Sequence, residues 1–293
     1  MNTVIKSDQL TVKISKPGNY GGARFDWTGF VQQVTLAAGN HTFCTLESLI
    51  DGAGTGGIGL CNEFGISTPV GYDGLAIGEC FPKVGVGLLT MIDNEPYDFF
   101  KSYPVRPFPI QVEQGPDYVR YVSKALPCNG YAFRLEKELL VQGATLTIDY
   151  ALHNVGEKPI VTSEYVHNFL AIDEQPIGPD YVLNFSEDIH LIEEPSAYTQ
   201  DILHIEGQNL GWNKQVEDMF YCRLAEFKTQ VPYYWEITNK HAGAGLRERG
   251  SNPASFTALW GVGHVLSPEV FIAINVSPGG TQRWTRSYDF FTL

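Results

Sequence analysis

His167 sits in the apolar run Val161-Thr-Ser-Glu-Tyr-Val-His-Asn-Phe-Leu-Ala-Ile172, with Glu164 three positions before it and Asn168 after it. A histidine in a partly dry cleft beside a carboxylate can hold a proton near neutral pH and give it to a leaving oxygen. The matching carboxylate is expected near the C-terminus. In Trp260-Gly-Val-Gly-His-Val-Leu-Ser-Pro-Glu-Val-Phe-Ile-Ala-Ile274, Glu269 follows Pro268 at the mouth of an apolar strand, in a stretch otherwise without acidic or Lys/Arg charge. The ordinary structural fates of these residue types are a hydrogen-bonded core histidine and a solvated strand-end glutamate.

Other chemistries lack their residues. The glycines of 51–87 do not fall in the Gly-x-x-x-x-Gly-Lys-Ser/Thr order that cradles phosphate, and there is no Gly-x-Ser-x-Gly elbow. His41, His153, His190, His204, His241 and His264 show no metal-ligand spacing, so no metal site is expected. His264 is close enough to Glu269 in sequence to join a pocket. The five cysteines, Cys44, Cys61, Cys80, Cys128 and Cys222, are odd in number, widely spaced and without a Cys-x-x-Cys pair, so neither a disulfide framework nor zinc is expected.

The elements that position these residues read as strands. Leu146, Ile148, Tyr150 and Leu152 alternate with Thr145, Thr147 and Asp149, the period of a strand with one buried face. The run 131–141 alternates similarly and is joined to it through a turn at Gln142-Gly143. Further strands are expected over 10–14, 31–36, 41–46, 108–112, 118–123, 181–185, 233–238, 256–260, 270–276 and 281–290. So many strands without long helices between them imply stacked antiparallel sheets, not a doubly wound parallel one. A short helix is expected near 214–224. The Gly-rich 51–87 stretch reads as long loops over a sheet, carrying polar groups inward.

The 293 residues carry a formal charge of −13, with the acidic residues scattered. Such a surface repels nucleic acid and anionic lipid, so neither is an expected partner, and a neutral small molecule fits better. No linker divides the chain, and a single domain over 1–293 is expected. The start lacks a signal-peptide apolar stretch and no run is long enough to cross a bilayer, from which a cytoplasmic protein is expected. The oligomeric state stays open.

Several motifs, in order, resemble the galactose mutarotase (aldose 1-epimerase) superfamily. Tyr20-Gly-Gly-Ala-Arg-Phe-Asp-Trp27 is similar to its early Gly-Ala-Arg strand, and Asn154-Val-Gly-Glu-Lys-Pro159 to its Asn-x-Gly-x-x-Pro turn. Val276-Ser-Pro-Gly-Gly-Thr-Gln-Arg-Trp-Thr-Arg-Ser-Tyr-Asp-Phe290 is similar to its closing strand. His167 and Glu269 fall where the family's acid and base fall. The resemblance implies an all-β supersandwich, and anomer interconversion with Glu269 as base, His167 as acid and no cofactor. The two side chains would then face one cleft across a sugar-sized gap.

The family's Asn-Arg pair, His-Gly-Gly loop and mid-chain Asp have no match here, which implies a divergent branch and leaves the sugar open. In their place Asn62, Glu63, Glu79, Lys83 and Asn168 are candidate hydroxyl ligands, and Trp260 a candidate aromatic platform. Arg24 and Arg286 could instead take a phosphate or an acid sugar. The alternatives are a non-catalytic carbohydrate-binding protein on the same fold and a hexose-6-phosphate 1-epimerase, the latter requiring several Arg side chains at one pocket edge.

Overall fold

The computed structural model describes residues 2–224 and 232–293. Among these, two large antiparallel sheets form a sandwich. One has nine strands and runs, edge to edge, Thr3–Lys6, Leu10–Ile14, Val31–Leu36, Leu60–Phe64, Ile160–Asn168, Val265–Val276, Phe256–Val262 and Phe220–Leu224, with His41–Thr42 beside Val31–Leu36. The other has ten and runs Leu203–Glu206, Asn209–Trp212, Tyr181–Phe185, Tyr233–Asn239, Ala244–Gly250, Thr281–Thr292, Thr145–Asn154, Phe133–Gln142, Tyr118–Lys124 and Ile110–Gln114. A third sheet, Cys80–Lys83, Gly87–Thr90 and Val105–Pro107, stands apart from both.

Period-two patterning explains the second sheet. Val141, Leu139, Leu135 and Phe133 are buried and face Leu146, Ile148, Leu152 and Asn154 across the pair, while the alternate positions, Ala151 apart, stay partly or fully exposed. Gly143, at φ 57°, opens the two-residue turn that fixes this register. The Asn154 turn is held from within: its side-chain amide donates to the carbonyls of Lys158 and Val276, and its Oδ1 accepts from Gly156 N–H. That turn sets where Ile160–Asn168 starts, and hence which face His167 takes.

Two expectations fail. Within 51–87, Leu60–Phe64 and Cys80–Lys83 are not loop: Cys80–Lys83 pairs with Gly87–Thr90, and Leu60–Phe64 is a central strand, buried at every position, paired with Val31–Leu36 on one side and with the His167 strand on the other. A strand covered on both faces loses its alternation, which is why it did not read as one. Near 214–224 there is no helix; Phe220–Leu224 is an edge strand with alternating burial, and the α-helix among the described residues lies at Ala197–Ile202, capped by Ser196. No helix among the described residues is long and apolar enough to cross a membrane.

Candidate active site

Ile160–Asn168 pairs antiparallel with Val265–Val276 from Ile160↔Val276 to Glu164↔Ile272, and the same register returns at Leu170↔Leu266. Carried through, it sets His167 opposite Glu269. Between these two stretches the ladder opens, because Pro268 has no N–H to give. The Pro268 carbonyl accepts from the Asn168 side chain at 2.6 Å, and Asn168 N–H turns to Ser267 Oγ at 2.9 Å.

Alternation sorts the neighbours into two faces. His167, Tyr165, Cys61, Glu63, Glu269, Ser267 and Trp260 share the face turned away from the second sheet. On it, His167 Nε2 and Glu269 Oε1 are 3.2 Å apart, each residue 5% exposed. The approach is too poorly aligned for a hydrogen bond, and Oε1 is buried without another partner. His167 Nδ1 lies 2.8 Å from Ser267 Oγ. The imidazole stacks on Phe169, ring centres 3.9 Å apart, with Trp260 and Phe25 edge-on to it. The two residues are therefore in contact beneath aromatic rings, not separated by the sugar-sized gap expected.

Burial sets the protonation of the pair. It pushes Glu269 up to about 8, against the opposing Arg24 charge and the nearby Ser267 hydroxyl, and it pushes His167 well below 6.5, with the Arg24 charge adding to the fall. Near neutral pH the two groups thus hold one dissociable proton, resting on the carboxyl.

A second cluster adjoins them. Arg24 donates through Nε to Glu63 Oε2 at 2.9 Å and through Nη2 to the Tyr165 hydroxyl at 3.0 Å, and that hydroxyl donates to the same Glu63 oxygen at 2.6 Å. Lys83 Nζ reaches Glu63 Oε1 at 3.2 Å and the Gly65 carbonyl at 3.3 Å. The Phe99 ring covers the Arg24 guanidinium and the Tyr97 ring faces Lys83 Nζ, so 97–99 roofs this cluster.

The sequence candidates thus divide. Trp260 lies against His167, and Glu63 and Lys83, engaged with each other, lie in the adjoining cluster. Asn168 and Asn62 point to the opposite face, between the sheets: Asn168 Oδ1 accepts from the Tyr288 hydroxyl and Asn62 Oδ1 from Tyr150 and Lys137. Glu79 lies on the surface, accepting from Ala76 N–H. Arg286 is also between the sheets, held by Glu164 and Glu248, and His264 Nε2 meets the Leu46 carbonyl. Ser267 and Tyr165 escaped the sequence reading; the one usable signal was their two-residue spacing from Glu269 and His167. A cavity of about 630 Å³ lined by Lys13, Gln33, Thr45, Leu46, Ile58 and His264 lies elsewhere and includes neither His167 nor Glu269.

No family model and no curated relative matches the chain. Solved structures do. The Slr1438 protein from Synechocystis sp. PCC 6803 superposes with TM-score 0.63 at 13% identity, over 100% of this chain and 96% of that one. A galactose mutarotase related enzyme from Lactobacillus acidophilus gives 0.60 at 10% identity, over 100% and 98%. The GalM/aldose epimerase homologue from C. elegans gives 0.62 at 12%, over 100% and 99%. At such identities the likeness is one of fold: the chain adopts the galactose mutarotase-like β-sandwich.

Proposed function

We propose that the protein is an aldose 1-epimerase-like isomerase acting on a small carbohydrate, with Glu269 and His167 as its catalytic pair. Anomer interconversion removes the proton of the C1 hydroxyl and protonates the ring oxygen. The C1–O5 bond then breaks, the aldehyde turns about C1–C2, and the ring closes on the other face. Glu269 takes the first proton and His167 gives the second, each recovering its state on closure, with no cofactor consumed. The observation that carries this reading is the buried, unpartnered Glu269 Oε1 facing His167 Nε2 at 3.2 Å across an opened strand pair.

The resting proton sits on the carboxyl, so it must pass to His167 before the reaction. Both arrangements hold the same number of protons and therefore share one pH dependence. The close contact of the pair favours a second reading, a carbohydrate-binding protein without turnover, because a pyranose cannot enter between the groups as they stand. A phosphorylated sugar has less support, since Arg24 and Arg286 are both committed to buried carboxylates. Saturation-transfer NMR across common aldoses tests the proposal: faster exchange between anomers of at least one supports it, and binding without faster exchange replaces it with the second reading.

A further inference from the structure

We propose that Ser267 is a positioning residue that fixes the tautomer of His167, keeping the imidazole N–H on Nε2, towards Glu269 and the site. Its catalytic meaning rests on the acid/base reading above; its hydrogen-bond content does not.

Ser267 is fully buried, two residues before Glu269 on the same strand face. Its oxygen accepts the Asn168 backbone N–H, which can only donate. In an unbroken ladder that N–H would go to the carbonyl opposite, but the Asn168 side chain already occupies the Pro268 carbonyl. The hydroxyl hydrogen is left for His167 Nδ1, 2.8 Å away. A neutral imidazole has one N–H, so a ring that accepts at Nδ1 carries its hydrogen on Nε2. The rings around His167, those of Phe169, Phe25, Tyr165 and Trp260, meet it by stacking or by their edges.

With Nδ1 engaged by the hydroxyl, Nε2–H is held towards Glu269 Oε1, 3.2 Å away, and is available to the ring oxygen of a sugar.

The test is nitrogen-15 NMR of the histidine rings near neutral pH, on the parent chain and on Ser267→Ala and Ser267→Thr. For the parent, His167 is expected with a protonated Nε2 and an unprotonated Nδ1; the reverse overturns the proposal, whatever the variants do. In Ser267→Ala the Nδ1-protonated form is expected to appear and anomer exchange to fall at least tenfold, both being restored in Ser267→Thr. An unchanged ring spectrum in a folded Ser267→Ala protein also overturns it. If the spectra behave as expected but no aldose is turned over by the parent chain, the enzyme reading fails and the placement of the histidine by Ser267 stands.

Discussion

Asn168 faces Pro268 across the two central strands, and its side-chain amide, 2.6 Å from the Pro268 carbonyl, makes the bond that a backbone N–H makes further along the same pair. A proline in a strand hydrogen-bonded on both sides is rare because it removes a donor from the ladder. Here the loss coincides with the proposed acid and base, as the local irregularities of sheets often do at sites of chemistry.

Pro268→Ala supplies the missing N–H and should let the two strands close. Stability is expected to hold or rise by about 1 kcal/mol, the net worth of one hydrogen bond, with the new amide protected from hydrogen exchange. Anomer exchange should fall about tenfold as the pair loses its freedom to shift, since small misplacements in a site cost rates of that order or more. Unchanged exchange with a closed ladder would mean that the opening has no part in function.

The buried cations differ in what their carboxylates would keep without them. Arg286 lies between Glu164, at 2.8 Å, and Glu248, at 2.5 Å, all three essentially without solvent. Removing one partner of such a pair costs about 3–5 kcal/mol, so Arg286→Met, which strands two carboxylates, should take most of a typical domain stability of about 5–15 kcal/mol. Arg24→Met leaves Glu63 with Lys83 and the Tyr165 hydroxyl, and Glu47, 3.9 Å from the guanidinium, with Thr55 and the Gly57 N–H, and should cost about 3 kcal/mol or less. Urea unfolding of both variants checks the order; equal losses would contradict it.

How far the sequence revealed this depends on which faces of each strand are covered. Thr145–Asn154 and Phe133–Gln142 have one wetter face, so their alternation was plain. Leu60–Phe64 has none, and its Gly-rich flanks hid it among loops. The Val265–Val276 strand reads from the sequence as starting at 270, which puts Glu269 at a strand mouth; it lies inside the strand and is 5% exposed. Ser267 carries no pattern of its own; its proposed role comes from a ladder break that only the pairing of both strands reveals. Lys83 and Glu63 were legible as residue types, but their engagement with each other comes from a separate sheet folded over the site.

Activity should depend on pH through the one proton that the pair holds. Above about 8, where Glu269 gives that proton up, the pair can no longer supply an acid and exchange should decline. On the acid side a second proton is taken up only well below 6.5, so activity should persist into mildly acidic solution. Anomer exchange rates from pH 5 to 10, corrected for the uncatalysed reaction at each pH, measure this; a rate that climbs steadily through 8 would show that the proton is not needed.

Glu269→Gln separates the chemistry of this residue from its effect on folding. In the parent chain, Glu269 keeps a proton up to about 8 that the unfolded chain releases near 4.5, so across that interval the folded state binds more protons and stability falls as pH rises, by about 1.4 kcal/mol per unit. His167 acts with the opposite sign: below 6.5 the unfolded chain takes up a proton that the folded chain refuses, so stability falls as pH drops. The two slopes offset each other below 6.5, which leaves a net loss attributable to Glu269 between 6.5 and 8. Asp26 and Glu164 are also raised by burial and slope the same way, so the comparison is of variant with parent, not of either with a flat line. Glu269→Gln should lose this part of the alkaline decline and exceed the parent in melting temperature at pH 8, while anomer exchange falls by two orders of magnitude or more, about what loss of a general base costs. A variant with parental turnover would remove Glu269 from the mechanism, and one with the parent's full pH slope would show that the carboxyl is not held neutral in the fold.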